Sequence, residues 1–212
     1  MEGRRHPCAP DRARLSRYRQ PRHGLMQILP TTLSGPLLIA PDVHGDHRGF
    51  FIETYRHNVF EDMGIPVDFV QDNQSRSRRG VVRGMHYQPG QSKLVRCARG
   101  AILDVLVDIR PGSPQFGQWE QFVLDDDEHR QLYCPDGFAH GFCVLSDIAD
   151  VVYRVSDYWD PQAESGFAFD DPDVAIDWPA DLELECSDRD RDAPRLAERV
   201  QSLPYVYAEG RG

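Results

Sequence analysis

The sequence predicts an all-β domain, an antiparallel sandwich or barrel, and three observations carry that prediction. From about residue 36 onward apolar residues recur mostly at every second position, the period at which a strand sends its side chains to one face. The 17 Gly and 16 Pro are spread through the chain rather than clustered, as many short strands joined by tight turns require. Helical periodicity is scarce and comes in short pieces, the best of them near the C-terminus.

Taken in order, DVHGDHRG strings together Asp42, His44, Asp46 and His47, but it lacks the later bidentate Glu of a calcium loop, so a turn is expected. HNVFEDMG reads as a short helical turn closed by Gly64. VVRGM is a strand leading into His86. In AILDVLVDIR, Leu103, Val105, Val107 and Ile109 alternate with Ile102, Asp104, Leu106 and Asp108. FVLDDDEHRQLYCP holds two strand-like runs around an acidic turn at 125–129. GFAHGFCVL places Phe138, His140, Phe142 and Val144 on one face, and DVVYRVSDYW does the same for Val151, Tyr153 and Val155. DAPRLAERVQSL predicts a helix with Asp192 as N-cap, Pro194 near the first turn, and Leu196, Val200 and Leu203 on one stripe.

A chain of 212 residues fits one domain with room for a sizeable core. Residues 1–25 hold seven Arg against Glu2 and Asp11, leaving 17 basic and 32 acidic residues beyond them. The leader lacks the aromatic interleaving of a nucleic-acid arm; a disordered extension, or a start upstream of Met26, is expected instead. The domain is expected over 26–204 and a loose tail over 205–212. No apolar run approaches a membrane helix, and the N-terminus lacks the apolar middle of a signal peptide. Five Cys with no C-x-x-C spacing signal neither a disulfide framework nor a zinc site, and a reduced, cytoplasmic setting follows. Against the acidic body, residues 70–100 carry Arg76, Arg78, Arg79, Arg83, Lys93, Arg96 and Arg99 with Asp72 alone. That reversal predicts a localised anion site, suited to a small phosphorylated ligand.

Within that segment sits Lys93, the one lysine of a chain whose other basic residues are arginine. An inward His or Tyr is by default a packing residue. Two inward His (His86, His140), an inward Tyr153 and a lone Lys together read as a site. Cys143 falls on the strand face opposite His140, which argues against a Cys–His nucleophile. Small barrels of the cupin type often hold a metal through H-x-H followed by Glu. Here the corresponding run is His86-Tyr87-Gln88 with Lys93 near where the acid belongs, while PDGFAH keeps P-x-G-x-x-H with His140. Two imidazoles beside a Lys and an Arg repel a cation, so a cupin-type barrel or jelly roll without a metal is expected.

The motifs DHRGFFIE, FVQDNQSRS, GVVRGMHYQ, QSKLVRC, GAILDVLVDIR, CPDGFAHGFCVLSD, VVYRVSDYW, DPDVAIDWP and SDRDRDAP, in that order over about residues 40–195, resemble the dTDP-4-dehydrorhamnose 3,5-epimerase family. The resemblance implies a metal-free, cofactor-free cupin that acts on a dTDP-4-keto-6-deoxyhexose. It implies a homodimer whose sites are completed by N-terminal residues of the partner, with neither nucleic acid nor membrane as partner. It also implies roles for residues. His86 would be the base, Asp190 its orienting carboxylate, and Tyr153 the acid on the opposite face. Lys93, helped by His140, would stabilise the enolate oxygen. Arg48, Glu53, Gln71, Asn73 and Arg83 would hold the nucleotide diphosphate, and Glu164 and Arg189 match two further binding positions. Arg189 departs from a usual Lys, Trp159 from a common Tyr, and Cys186 from a Leu.

These residue types suit the chemistry. A ketone acidifies the hydrogens on both flanking carbons, and inversion needs a base on one face with an acid on the other. An imidazole with a pKa of about 6.5 serves as base near neutrality. A compact ammonium fits beneath an enolate oxygen where a broad guanidinium does not, and arginine forks match phosphate oxygens. Inversion at C3 alone, a silent nucleotide-sugar-binding barrel and a metal cupin oxygenase are the competing expectations.

Overall fold

The computed structural model describes residues 26–207, so the expected extension over 1–25 and residues 208–212 of the tail lie outside the described residues. The strands are β1 (Gln27–Leu29), β2 (Leu37–Ala40), β3 (Val43–Asp46), β4 (Gly49–Ile52), β5 (Gln71–Arg78), β6 (Val82–Tyr87), β7 (Lys93–Arg99), β8 (Ala101–Asp108), β9 (Trp119–Asp125), β10 (Gln131–Cys134), β11 (Phe138–Val144), β12 (Ile148–Val155) and β13 (Ser165–Gly166). They form a six-stranded sheet ordered β1-β2-β10-β7-β12-β5, a five-stranded sheet ordered β13-β6-β11-β8-β9, and a separate β3–β4 hairpin. Every strand pairing is antiparallel. The all-β cupin-type barrel expected from the sequence is what the chain forms.

Period-two alternation explains how the core divides. On β8, Ile102 and Leu106 face inward with Val95, Leu132, Phe142 and Val151, while Leu103, Val105 and Val107 face outward into a second cluster. That outer face is covered by the C-terminal part of the chain, through Phe167, Val174, Leu196 and Leu203. A third cluster, built on Phe60 and Ile65, covers part of the six-stranded sheet around Ile39, Leu94 and Tyr133. Removing such a side chain from water contributes about 1.5–3 kcal/mol each, so both faces of β8 are held.

β5 escaped the alternation rule because it contains no aliphatic residue. It is an edge strand whose inward row is Gln71, Asn73, Ser75 and Ser77, and whose Asp72, Gln74, Arg76 and Arg78 are exposed. The turn over HNVFEDMG is α1 (His57–Asp62), followed by Met63 and Gly64 as expected. The predicted C-terminal helix needs correction. Asp192 is not its N-cap but the C-cap of a different helix, α2 (Asp188–Arg191), whose N-cap is Ser187. Pro194 disfavours helical backbone at Ala193, so the chain breaks there. It resumes as α3 (Leu196–Arg199) with Arg195 at the N-cap, then a 3-10 turn over Val200–Ser202. Residues 205–207, placed in the tail, are docked: Tyr205 packs on the outer cluster and Tyr207 N–H donates to Pro111 O at 3.3 Å.

One close approach positions the site. Gly84 on β6 has φ +136°, and a Cβ there would lie 2.5 Å from Gly141 Cα and 3.0 Å from His140 O on β11. Only glycine lets the two strands meet here. The meeting puts His86 directly across from His140, next to a register shift between His140 and Phe142.

Candidate active site

Strands of both large sheets wall a cavity of about 500 Å³ lined by His86, Lys93, His140, Tyr153, Glu164 and Asp190, among others. β6 and β11 supply the two histidines, β7 the lysine and β12 the tyrosine. All five residues expected to carry the chemistry are therefore on one wall-to-wall space.

His86 Nε2 lies 2.7 Å from Asp190 Oδ1. Asp190 is buried, and its place is fixed from α2. Its N–H donates to the Ser187 hydroxyl at 3.2 Å, and its Oδ2 accepts from Gly84 N–H at 3.4 Å. Burial opposes the carboxylate charge, but the hydrogen bond and charge of His86, with the donors from Gly84 and Ser187, outweigh it and hold the pKa below the ordinary carboxylate value. When the ring is neutral, an ionised Asp190 accepts from Nε2–H and Nδ1 of His86 keeps a free lone pair.

A second dyad stands beside the first. His140 Nε2 is 2.9 Å from Oδ2 of Asp104, a fully buried residue of β8. Burial pushes the Asp104 carboxyl up, against the pull of His140 and Lys93. The sequence reading did not select Asp104. Its signal was present, an acid in the inward row between Ile102 and Leu106.

Lys93 is buried, and burial pushes its ammonium below the ordinary value, opposed by Cys134, Glu164 and Asp104. Tyr153 is half-buried; burial raises its phenol, as does Glu164, while Arg83 opposes. Arg83 donates from Nε to Ser77 Oγ at 3.0 Å and lines the same cavity. Glu164 and Arg189 both line it and are bonded to each other, Arg189 Nη1 to Glu164 Oε2, at 2.6 Å. Ser187, Glu185 and Cys186, also in the wall, come from a segment with no strand alternation to mark it. Cys143 belongs to the outer cluster, away from His140, as its parity required.

The remaining expected binding residues lie elsewhere. Gln71 and Asn73 are bonded to each other at 2.9 Å on the inward row of β5, beyond Ser75, which lines the cavity. Gln71 Oε1 also accepts from Trp159 N–H at 3.1 Å, so it moors the loop that leads to Glu164. Arg48 and Glu53 are not brought to the cavity of their own chain. They belong to the β3–β4 hairpin and the residues after it, outside both large sheets, where Arg48 pairs with Asp46 and Glu53 with Arg56.

The basic segment also divides, because neighbours on a strand face opposite ways. Arg83 and Lys93 enter the cavity, Arg76 pairs with Asp150 at 2.6 Å, and Arg78 pairs with Glu185. Arg96 lines a separate cleft with Asp72 and Arg154. One anion patch was expected; two cavity cations and several surface ion pairs are found. Among the described residues no three His, Cys, Asp or Glu side chains converge as a metal set would.

Comparison with known proteins matches residues 30–198 to the model of the dTDP-4-dehydrorhamnose 3,5-epimerase family. The chain belongs to that family. The epimerase of this description from Escherichia coli is 46% identical over 180 residues, spanning 83% of this chain and 97% of the relative. A dTDP-4-dehydrorhamnose 3-epimerase from Streptomyces niveus is 45% identical over 188 residues, 86% of this chain and 90% of that one. Among solved structures, a dTDP-6-deoxy-D-glucose-3,5-epimerase of Legionella pneumophila, in complex with dTDP-4-keto-L-rhamnose, superposes with a TM-score of 0.84 at 44% identity. The match covers 86% of this chain and 99% of that one. Two of the positions expected to depart from the family's usual residues, Arg189 and Cys186, both line the cavity.

Proposed function

We propose that this family member inverts C3 and C5 of dTDP-4-dehydro-6-deoxy-D-glucose, giving dTDP-4-dehydro-L-rhamnose, with the side chains of the central cavity in the following roles. Nδ1 of His86 takes the proton from the carbon next to the C4 ketone, and Asp190 supports the imidazolium that forms. The electron pair moves onto the ketone oxygen, where the Lys93 ammonium, with His140 beside it, balances the developing charge. Tyr153 returns a proton to the other face of the same carbon. The cycle repeats at the second carbon after the proton inventory is restored. The carbonyl supplies the acidity, so the reading calls for neither a metal nor a redox cofactor. Arg83 takes the diphosphate, with Gln71 and Asn73 further along the same opening.

The observation that carries the reading is the His86–Asp190 dyad in one 500 Å³ cavity with Tyr153 and Lys93. Arg48 and Glu53 enter through a homodimer, contributed by the partner's hairpin. In one chain that hairpin leaves Phe50 58% and Phe51 69% exposed, an apolar pair suited to a contact between subunits. Among the described residues the catalytic domain runs from 26 through the docked 205–207. Among the described residues no helix is long and apolar enough to cross a membrane, and the enzyme works in the cytoplasm.

The test is proton NMR of the 4-keto sugar nucleotide with enzyme in deuterated water. Deuterium at both C3 and C5 with the L-configured product supports the reading; binding without any exchange overturns it. Deuterium at C3 alone would select the second reading, inversion at C3 only, which the Streptomyces niveus relative favours.

A further inference from the structure

The turn over residues 88–92, which joins β6 to β7, has His86 two residues before it and Lys93 directly after it. It holds two glutamines, Gln88 and Gln91, both buried, and neither lines the cavity. Gln88 stands two residues beyond His86, at the position where a metal-binding barrel of this type has its second histidine. A buried primary amide has to find partners. Both glutamines find theirs in one place, the loop over 156–160 that follows Tyr153 and the end of β12.

Gln88 Nε2 donates to Tyr158 O at 2.9 Å, and Gln88 Oε1 accepts from Asp160 N–H at 2.9 Å. Gln91 Nε2 donates to Asp157 O at 3.0 Å. Between the two Gln88 bonds lies Trp159, whose own N–H goes to Gln71 Oε1 at 3.1 Å. Four successive residues of irregular backbone are thus held by glutamine side chains where a strand would use its neighbour. Above that fixed backbone Tyr158 and Trp159 are both more than half exposed. Trp159 also bears on the cavity wall: burial works against the charge on Glu164, and Arg189 and then the Trp159 side chain outweigh it. His86 and Lys93 have separate support. β6 is paired with β11 and β13, and β7 with β10 and β12. Loss of the Gln88 amide would leave those strands in register while stripping the loop of the two bonds around Trp159.

We propose that Gln88 is a positioning residue for substrate recognition: by bracketing Trp159 it holds the 156–160 loop in the shape that the nucleotide sugar meets. The proposal rests on the epimerase reading of the cavity and deepens it. Its effect falls on the affinity for the nucleotide sugar and not on the proton transfers, because the base and the ammonium are placed by their own strands. An amide clamp carries no charge and does not titrate, so the loop keeps its shape as pH varies.

The test combines steady-state kinetics and dTDP calorimetry with a cleavage assay that needs no ligand. Gln88→Met keeps the length of the side chain and removes both bonds. It is expected to raise KM, and Kd for dTDP, by about 10-fold or more, with kcat within about threefold of wild type. In the ligand-free protein, chymotrypsin should cut after Tyr158 or Trp159 about 10-fold faster than in wild type. Gln88→Glu keeps the acceptor for Asp160 N–H but loses the donor to Tyr158 O. It should fall between the two proteins, and it carries the test if Gln88→Met does not fold. Unchanged KM and Kd, a loss of kcat as large as the rise in KM, or cleavage no faster than in wild type would each overturn the proposal. Wild type that binds dTDP but neither epimerises nor exchanges would sink the epimerase reading instead, while Kd and the cleavage rate would still decide the role of Gln88.

Discussion

Lys93 shows what a single side chain contributes here. Its ammonium is buried against a falling pKa, a cost that a buried cation incurs unless something negative arrives beside it. An enolate oxygen is such a group, present only as the reaction proceeds, which is when stabilisation raises kcat. Lys93→Arg is expected to lower kcat by about 100-fold or more while leaving the affinity for dTDP close to wild type, as measured by calorimetry and steady-state kinetics. Tyr153→Phe separates the two proton transfers: it should still wash deuterium into C3 through His86 but lose inversion, whereas His86→Ala should lose both. Asp190 carries a pH dependence. Its folded pKa is depressed, so its contribution to stability is full above the unfolded carboxylate value of about 3.9 and is lost as pH falls through the folded value. The stability gap between wild type and Asp190→Asn, read from urea midpoints, should narrow below about pH 4. At this scale the sequence was legible wherever an unusual residue stood in an apolar strand. Asp104 went unselected because its alternation partner Asp108, on the same strand, makes an acid look ordinary there. Asp108 is instead tied to Arg110 at 2.6 Å.

Among elements, legibility followed water. β8 and β11 each bury at least one full row, and β12 buries Ala149, Val151 and Val155 with Tyr153 half-buried among them; such rows are mostly apolar, so periodicity marked them. β5 faces solvent on one side and a polar cavity on the other, so no apolar residue was required and none announced it. α2 is one turn capped by Ser187; a helix that short leaves no period to read, and the apolar stripe of Leu196 and Leu203 drew attention past it. The seam between β6 and β11 can be tested directly. Gly84→Ala places a methyl 2.5 Å from Gly141 Cα at a φ of +136°, and is expected to cost about 1–3 kcal/mol of stability. Turnover should fall further than that loss implies, since His86 and His140 are spaced by this seam.

For the molecule as a whole, the hairpin is the part a single chain cannot explain. It pairs with neither large sheet, leaves Phe50 and Phe51 mostly exposed, with Phe50 resting on His129 at 4.4 Å between ring centroids, and bears Arg48. If the partner's hairpin completes the site, two inactive variants should rescue each other. Mixing and re-annealing His86→Ala with Arg48→Ala should restore roughly a quarter of wild-type activity, because in each mixed dimer one site carries both changes and the other carries neither. Activity no greater than the two variants separately would assign Arg48 to its own chain or to no site. The resemblance named Arg48 and Glu53 from motif alone; neither lines the cavity of its own chain, which is why the proposed role calls on a second subunit.

His86 and its carboxylate lie 104 positions apart in the chain, and the carboxylate arrives on the same stretch that shields the outer face of the five-stranded sheet. A polypeptide that has not yet released that stretch holds every strand of both sheets but lacks the carboxylate proposed to orient His86. Turnover becomes a late-stage gauge of maturation, and proteolytic nicking near Pro179 should silence the enzyme while leaving most strand signal in circular dichroism.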